Sequence, residues 1–155
     1  LDILHMPRTP EIIISHRGNL TGPGSCEENS PSSVDNALAL GFDVEVDLWC
    51  VGDLLYLGHD QPTYPITEHW LELRARALWV HGKNLQAVKW WMQHQHIHFF
   101  WHDDAPITLT SKGHVWVHPN EPPINNSIQV LPEQLGYLVA MCRGVCTDYP
   151  IRYSN

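Results

Sequence analysis

A chain of 155 residues, 43% hydrophobic and 17% charged, can bury one sizeable core and is excluded from the disordered class. Its formal charge of −8 with histidine neutral argues against a nucleic-acid binder, which needs a basic face. No apolar run is long enough to span a bilayer and no stretch has the order of a secretory signal. A single domain over 1–155 is expected. The expected compartment is the cytoplasm, with secretion open only if a leader preceded Leu1.

The first strand is predicted over Glu11–Ser15, followed by a loop marked by Gly18, Gly22, Pro23 and Gly24. Ser32 is placed to cap a helix that runs to about Leu40 and stops at Gly41. Alternation over Phe42–Leu48 predicts a second strand, and Gly52-Asp53 a hairpin turn into Leu54–Leu57. Helix Ile66–Ala75 with Thr67 near its cap, strand Leu78–His81, helix Leu85–His94 and strand Ile97–Trp101 follow. The rhythm then degrades. Short strands are predicted at Val115–Val117 and Ile128–Val130, a last helix over Pro132–Met141 before Gly144, and a last strand over Val145–Thr147. Alternation of strand and helix predicts an α/β protein with a parallel sheet. Two architectures answer this order. One is a shortened or incomplete TIM-like barrel that has lost some helices of its second half, since a full one takes about 250 residues. The other is an open doubly wound sheet.

Chemistry-bearing residues gather at the strand ends. Glu45 and Asp47 are two apart on one strand, so they share a face, while Val44, Val46 and Leu48 face helices. Two carboxylates on a buried face repel unless a cation lies between them, and oxygen donors suit Mg²⁺ or Ca²⁺, with Mn²⁺ a further option. The competing reading is a pair of ordinary acids on an exposed face. His81 and Lys83 repeat the spacing, and a buried lysine needs an anionic partner. His16-Arg17-Gly18 ends the first strand. Arginine there offers a fork for phosphate oxygens, and histidine passes protons near neutral pH. His59-Asp60 returns a second histidine to the same rim. Asp148 closes the last strand, where it is expected to anchor Arg17 or Lys83. Trp49, Trp101 and Trp116 stand at strand ends, where packing or pocket lining are both open. His94, His96 and His98 read as a solvated helix end. His102-Asp103-Asp104 reads either as a turn cap or as a source of a further metal ligand, and Glu28-Asn29 as loop-fixing. Cys26, Cys50, Cys142 and Cys146 form no CxxC pair and are read as reduced thiols.

The segments SHRGN, EENSPSSVDNALALGFDVEVDLW, LLYLGHD and GVCTDYP resemble the glycerophosphodiester phosphodiesterases, within the phosphatidylinositol-phospholipase-C-like superfamily. WVHGKN aligns between them, and the brevity of the chain is similar to short bacterial and phage members. The resemblance implies a TIM-type barrel, a divalent metal, phosphodiester chemistry and a place in lipid metabolism. It implies that His16 and His59 are the acid/base pair, that Arg17 contacts phosphate, and that Glu45 and Asp47 are two of three metal carboxylates. The third carboxylate of the family's Glu-x-Lys pattern is replaced here by His81 in His81-Gly82-Lys83, so His81 is assigned as the remaining metal ligand. Lys83, Trp101 and Asp148 are assigned to the substrate.

The expected function is therefore metal-dependent cleavage of a small glycerophosphodiester-like substrate, with no nucleic-acid partner and no transmembrane segment. The alternative is a catalytically degenerate barrel that binds a phosphorylated saccharide or a partner protein.

Overall fold

The computed structural model describes residues 9–136 and 139–154. Its first strand, β1 (Ile12–His16), is a β-branched run that ends in the histidine. The chain then loops to α1 (Pro31–Ala39). Ser30 rather than Ser32 caps this helix: its side chain accepts from the Ser33 N–H, and Pro31 occupies the first turn, where no N–H is missed. β2 (Asp43–Val51) is longer than predicted and turns at Gly52 into β3 (Leu54–Leu57), against which β4 (Tyr64–Ile66) lies antiparallel.

Thr67 caps α2 (Glu68–Arg74) by accepting from Trp70 N–H. β5 (Leu78–Gly82) follows. Asn84 caps α3 (Leu85–Trp91) and also bonds both backbone groups of Cys50, tying the start of α3 to the end of β2. The remaining strands are short: β6 (Phe99–Phe100), β7 (Ile107–Leu109), β8 (Val115–Val117), β9 (Ile128–Val130) and β10 (Gly144–Thr147).

The ten strands of the described residues form one curled mixed sheet in the order β4-β3-β2-β1-β10-β9-β8-β7, with β5 on β2 and β6 on β5. β2 is the hub. Its first half pairs with β1, its second half with β3, and its other edge with β5. Registers assign the faces. Ile14, His16, Glu45, Asp47, His81, Phe100, Trp116, Val130 and Cys146 share the inner face. Ile14, Trp79, Phe100, Trp116, Ile128, Val130 and Cys146 pack there as one core. Val44, Val46, Leu48 and Val80 pack outward against Val34 and Ala37 of α1, Leu71 of α2 and Ala87 of α3.

This is not the TIM-like barrel expected from the sequence. Among the described residues there are three short α-helices, all before residue 92, and the sheet is open. The cause lies in the second half. β6 and β7 make no ladder with each other; Ser111 N–H to Phe99 O and Thr108 Oγ1 to Trp101 O, each 2.8 Å, are the bonds that approach closure. Residues 118–127 link the parallel strands β8 and β9 without a helix, because Pro119, Pro122 and Pro123 cannot sit in a helix interior. The helix expected over Pro132–Met141 is a single 3₁₀ turn, Pro132–Gln134, entered through Leu131 at φ 46°. Residues 139–141 are non-helical, and 137–138 lie outside the described residues. Among the described residues no helix is long and apolar enough to cross a membrane.

His98 is not part of a solvated helix end: only 5% of it is exposed. It bonds Thr110 Oγ1 at 2.7 Å and packs tilted against Trp79 with ring centroids 4.1 Å apart, with His114 beside both. Burial, then repulsion from His114 and Lys112, pushes its pKa down to about 4. An unfolded chain takes up this proton near 6.5 and the folded one near 4, so stability is full above 6.5 and falls as the pH drops between those values. The loss is at most about 3.5 kcal/mol, at about 1.4 kcal/mol per unit. Urea midpoints at pH 7 and pH 4.5 should therefore converge in His98→Gln relative to the unsubstituted chain. Equal acid loss in both would show that His98 is not the group responsible.

Candidate functional site

β1 delivers His16 to the rim, and the next two residues reverse the chain through left-handed backbone, Arg17 at φ 58° and Gly18 at φ 88°. Left-handed backbone is costly for an arginine and is tolerated where surrounding contacts over-determine it. Arg17 N–H donates to Glu45 O, Asn19 N–H to His16 O, and Asn29 N–H to Arg17 O. A Cβ on Gly18 would lie 3.0 Å from Ser33, so the turn also packs on α1. The guanidinium folds back over β2, with Nε 3.4 Å from Asp47 Oδ2 and Nη2 3.4 Å from His59 Nε2. Arginine only donates, so His59 Nε2 accepts and the ring proton sits on Nδ1, 3.5 Å from Asp47 Oδ2. The His59 loop is held by Gly58: its N–H donates to Asp47 O, and its carbonyl accepts from Trp49 Nε1 at 2.7 Å.

Glu45 and Asp47 are not surface acids; they are 3% and 1% exposed. Their surroundings differ. Asn29, at φ 66°, donates from Nδ2 to Asp47 Oδ2 and accepts the Asp47 N–H, both at 2.9 Å. His81 Nδ1 lies 3.1 Å and Lys83 Nζ 4.0 Å from Asp47 Oδ1. Burial alone would raise the Asp47 pKa, but hydrogen bonds from His59 and His81 and the charges of His81 and Arg17 hold it well below the usual range. Glu45 is less well served: the charges of Arg17 and Lys83 favour its ionised form but are outweighed. Its Oε2 is buried with no hydrogen bond and is 3.9 Å from His16 Nε2. Burial, followed by the Asp47 charge, raises its pKa well above that of an ordinary glutamate.

Asp148 does not anchor Arg17 or Lys83, as the sequence suggested. Its Oδ1 accepts from His16 Nδ1 at 2.8 Å and from Asn19 Nδ2 at 3.0 Å. Burial opposes ionisation, but the His16 and Asn19 bonds and the His16 charge lower its pKa. With the Nδ1 proton fixed on Asp148, His16 Nε2 is the atom presented to the site. Glu133 holds Asp148 in turn, its Oε1 accepting from Thr147 Oγ1 and Asp148 N–H.

A cavity of 160 Å³ opens at this rim. His16, Arg17, Glu45, Asp47, His59 and His81 line one side, and Phe100, His102, Trp116, His118 and Val130 the other. The sequence reading named the first six. Lys83 and Asp148 reach the cluster through Asp47 and His16 but are not part of the lining. Trp101 is 42% exposed and lies outside it; its Nε1 points to Asp103. His102 lines the cavity, with Nε2 donating to Ala105 O, whereas Asp103 and Asp104 do not. Trp49 is a support for the His59 loop. Glu28 accepts from Asn19 Nδ2 at 2.7 Å and stands 3.8 Å from Arg17, so it braces the Arg17 turn. Asn19, Asn29, Glu133 and His118 were missed as site residues. Only Asn29 carried a sequence signal, as a residue that tolerates left-handed backbone before a helix cap. All four cysteines are free.

One ligand atom from each of Glu45, Asp47 and His81 lies within 4.8 Å of the others. Two oxygens and one nitrogen are a usable donor set for a divalent ion, and the orphaned Glu45 Oε2 is the atom such an ion would satisfy. His16, Glu28 and Asp148 form a second close group, but Asn19 and the His16–Asp148 bond already occupy its polar atoms. Comparison of the chain with models of protein families, with curated proteins and with solved structures finds no match.

Proposed function

We propose that the chain is a divalent-metal-dependent phosphodiesterase acting on a small, glycerophosphodiester-like substrate. The observation that carries this reading is the convergence of two histidines, held by different carboxylates, on one cavity that also contains the Glu45–Asp47–His81 cluster. A bound divalent ion, held by those three residues, would supply charge neutralisation to a phosphate. Arg17 adds a planar donor on the same side, and Lys83 adds a positive charge behind Asp47.

His16 presents Nε2 with Nδ1–H fixed on Asp148, and His59 keeps Nδ1–H toward Asp47, its Nε2 becoming available once Arg17 Nη2 turns from it to a phosphate oxygen. Each is oriented by a carboxylate to take or give a proton at Nε2. One removes the proton from the attacking hydroxyl, and the other protonates the leaving oxygen. A hydroxyl of the substrate or water can serve as nucleophile, giving a cyclic or an open phosphate. The aromatic side, Phe100 and Trp116, excludes water from the opposite wall. The net charge of −8 favours a water-soluble substrate over one embedded in an anionic membrane.

A metal-by-substrate screen tests the reading. Turnover of at least one small phosphodiester, dependent on an added divalent ion and lost with chelator, is the expected result. A metal-loaded protein that cleaves nothing across glycerol, choline, inositol and aryl phosphodiesters would leave a phosphate-ester binding protein as the reading of the same cavity.

A further inference from the structure

Resting on the metal-binding part of that reading, we propose that the Glu45–Asp47–His81 cluster selects a first-row transition ion such as Mn²⁺, Co²⁺ or Zn²⁺ over Mg²⁺ and Ca²⁺. The donor set departs from what hard ions use. Ca²⁺ takes six to eight oxygens and Mg²⁺ a near-ideal oxygen octahedron with several waters. Here two carboxylates are joined by a neutral-capable imidazole, and imidazole nitrogen suits the later divalent ions.

His81 is held firmly in this place. Its ring stacks on Phe100 with centroids 4.9 Å apart and planes 9° from parallel, and its Nδ1 faces Asp47 Oδ1 at 3.1 Å. Gly82 supports that placement from the other face: a Cβ there would collide with the Phe99 ring, so β5 and β6 approach closely. His81 therefore cannot swing away to leave an all-oxygen site without unstacking from Phe100.

The local charge acts in the same direction. Attraction of a hard ion rests mainly on carboxylate charge, and Arg17 and Lys83, 3.4 Å and 4.0 Å from Asp47, offset much of it. A nitrogen bond to a transition ion is less weakened by those cations.

Titration calorimetry on the full chain with Mn²⁺, Zn²⁺, Mg²⁺ and Ca²⁺, each alone, measures the selectivity. Mn²⁺ and Zn²⁺ should bind at least about tenfold more tightly than Mg²⁺ and Ca²⁺. Pulsed EPR of the Mn²⁺-loaded protein should show coupling to imidazole nitrogen, a readout that needs no variant and no turnover. His81→Glu should lose that coupling and narrow or reverse the preference. Mg²⁺ or Ca²⁺ binding as tightly as Mn²⁺, no nitrogen coupling in the unsubstituted protein, or no binding of any of the four ions would each overturn the proposal. Selective binding by a protein that cleaves no phosphodiester supports it and counts against the catalytic reading alone.

Discussion

Alanine at His16 or at His59 is expected to lower phosphodiester turnover about a hundredfold to ten-thousandfold, the range for removal of a positioned acid or base. The two side chains line the same cavity, and each has its Nδ1 turned to a carboxylate. One must be neutral while the other is protonated, so turnover should follow a bell in pH. Losing either arm disables the same step, and the double variant should be little worse than the single ones. His59→Ala should keep its stability, because the His59 side chain is 43% exposed; His16→Ala removes the 2.8 Å partner of buried Asp148, so its turnover is read at a temperature where circular dichroism shows it folded. Both variants should keep bound metal, since neither histidine belongs to the Glu45–Asp47–His81 group. A protein whose turnover survives both substitutions would refute the acid–base assignment even with metal bound.

Opposite effects on stability are expected from the two buried acids in the metal-free protein. Asp47→Asn takes the charge from a carboxylate that faces Arg17, His59, His81 and Lys83, and should cost about 3 kcal/mol or more, as when one partner of a buried pair is removed. The Asp47 pKa is depressed in the fold. Its contribution is therefore present above the unfolded carboxylate range and lost as the pH falls through the folded value. Glu45→Gln should instead raise stability at neutral pH. The Glu45 pKa is elevated, so the native state is penalised once the pH exceeds the unfolded value, and an amide carries no such penalty. Both variants should lose metal affinity. Denaturant midpoints at pH 7 with chelator present, paired with calorimetric metal titration, check the two signs. Destabilisation by Glu45→Gln as large as that of Asp47→Asn would show that Glu45 is satisfied in the fold and is not waiting for an ion.

Much of the rim was legible in the chain because its signals are local. A period of two puts Glu45 and Asp47 on one face and Val44, Val46 and Leu48 on the other, and the register of β2 against β1 and β5 has both sets there. Ends of β-rich runs place His16 and His81, and a hairpin turn returns His59. Strand and helix order through the first 100 residues was also legible apart from β4 (Tyr64–Ile66), which was not predicted, and caps at Ser30, Thr67 and Asn84 sit just before apolar periodic segments. That order invited closure into a barrel, which the second half does not deliver. Periodicity describes one segment at a time, and whether a sheet closes depends on connections. Here prolines keep residues 118–127 from forming a crossover helix, and β6 and β7 are left without a ladder.

Tertiary structure alone decided which polar groups meet. Asp148 is 132 residues from His16 in the chain, yet it is the acceptor that orients its ring, because β10 pairs with β1. Asn29, a loop residue by sequence, grips Asp47 across 18 residues, and Glu133 reaches Asp148 from a 3₁₀ turn that periodicity misread as a helix. Trp101, legible as a strand-end aromatic, points outward, while Trp116 packs within. Residue type and spacing determined what chemistry the chain could assemble. Long-range strand pairing determined the partner of each group, and through it which carboxylate is well supplied with hydrogen bonds and which keeps a buried oxygen without one.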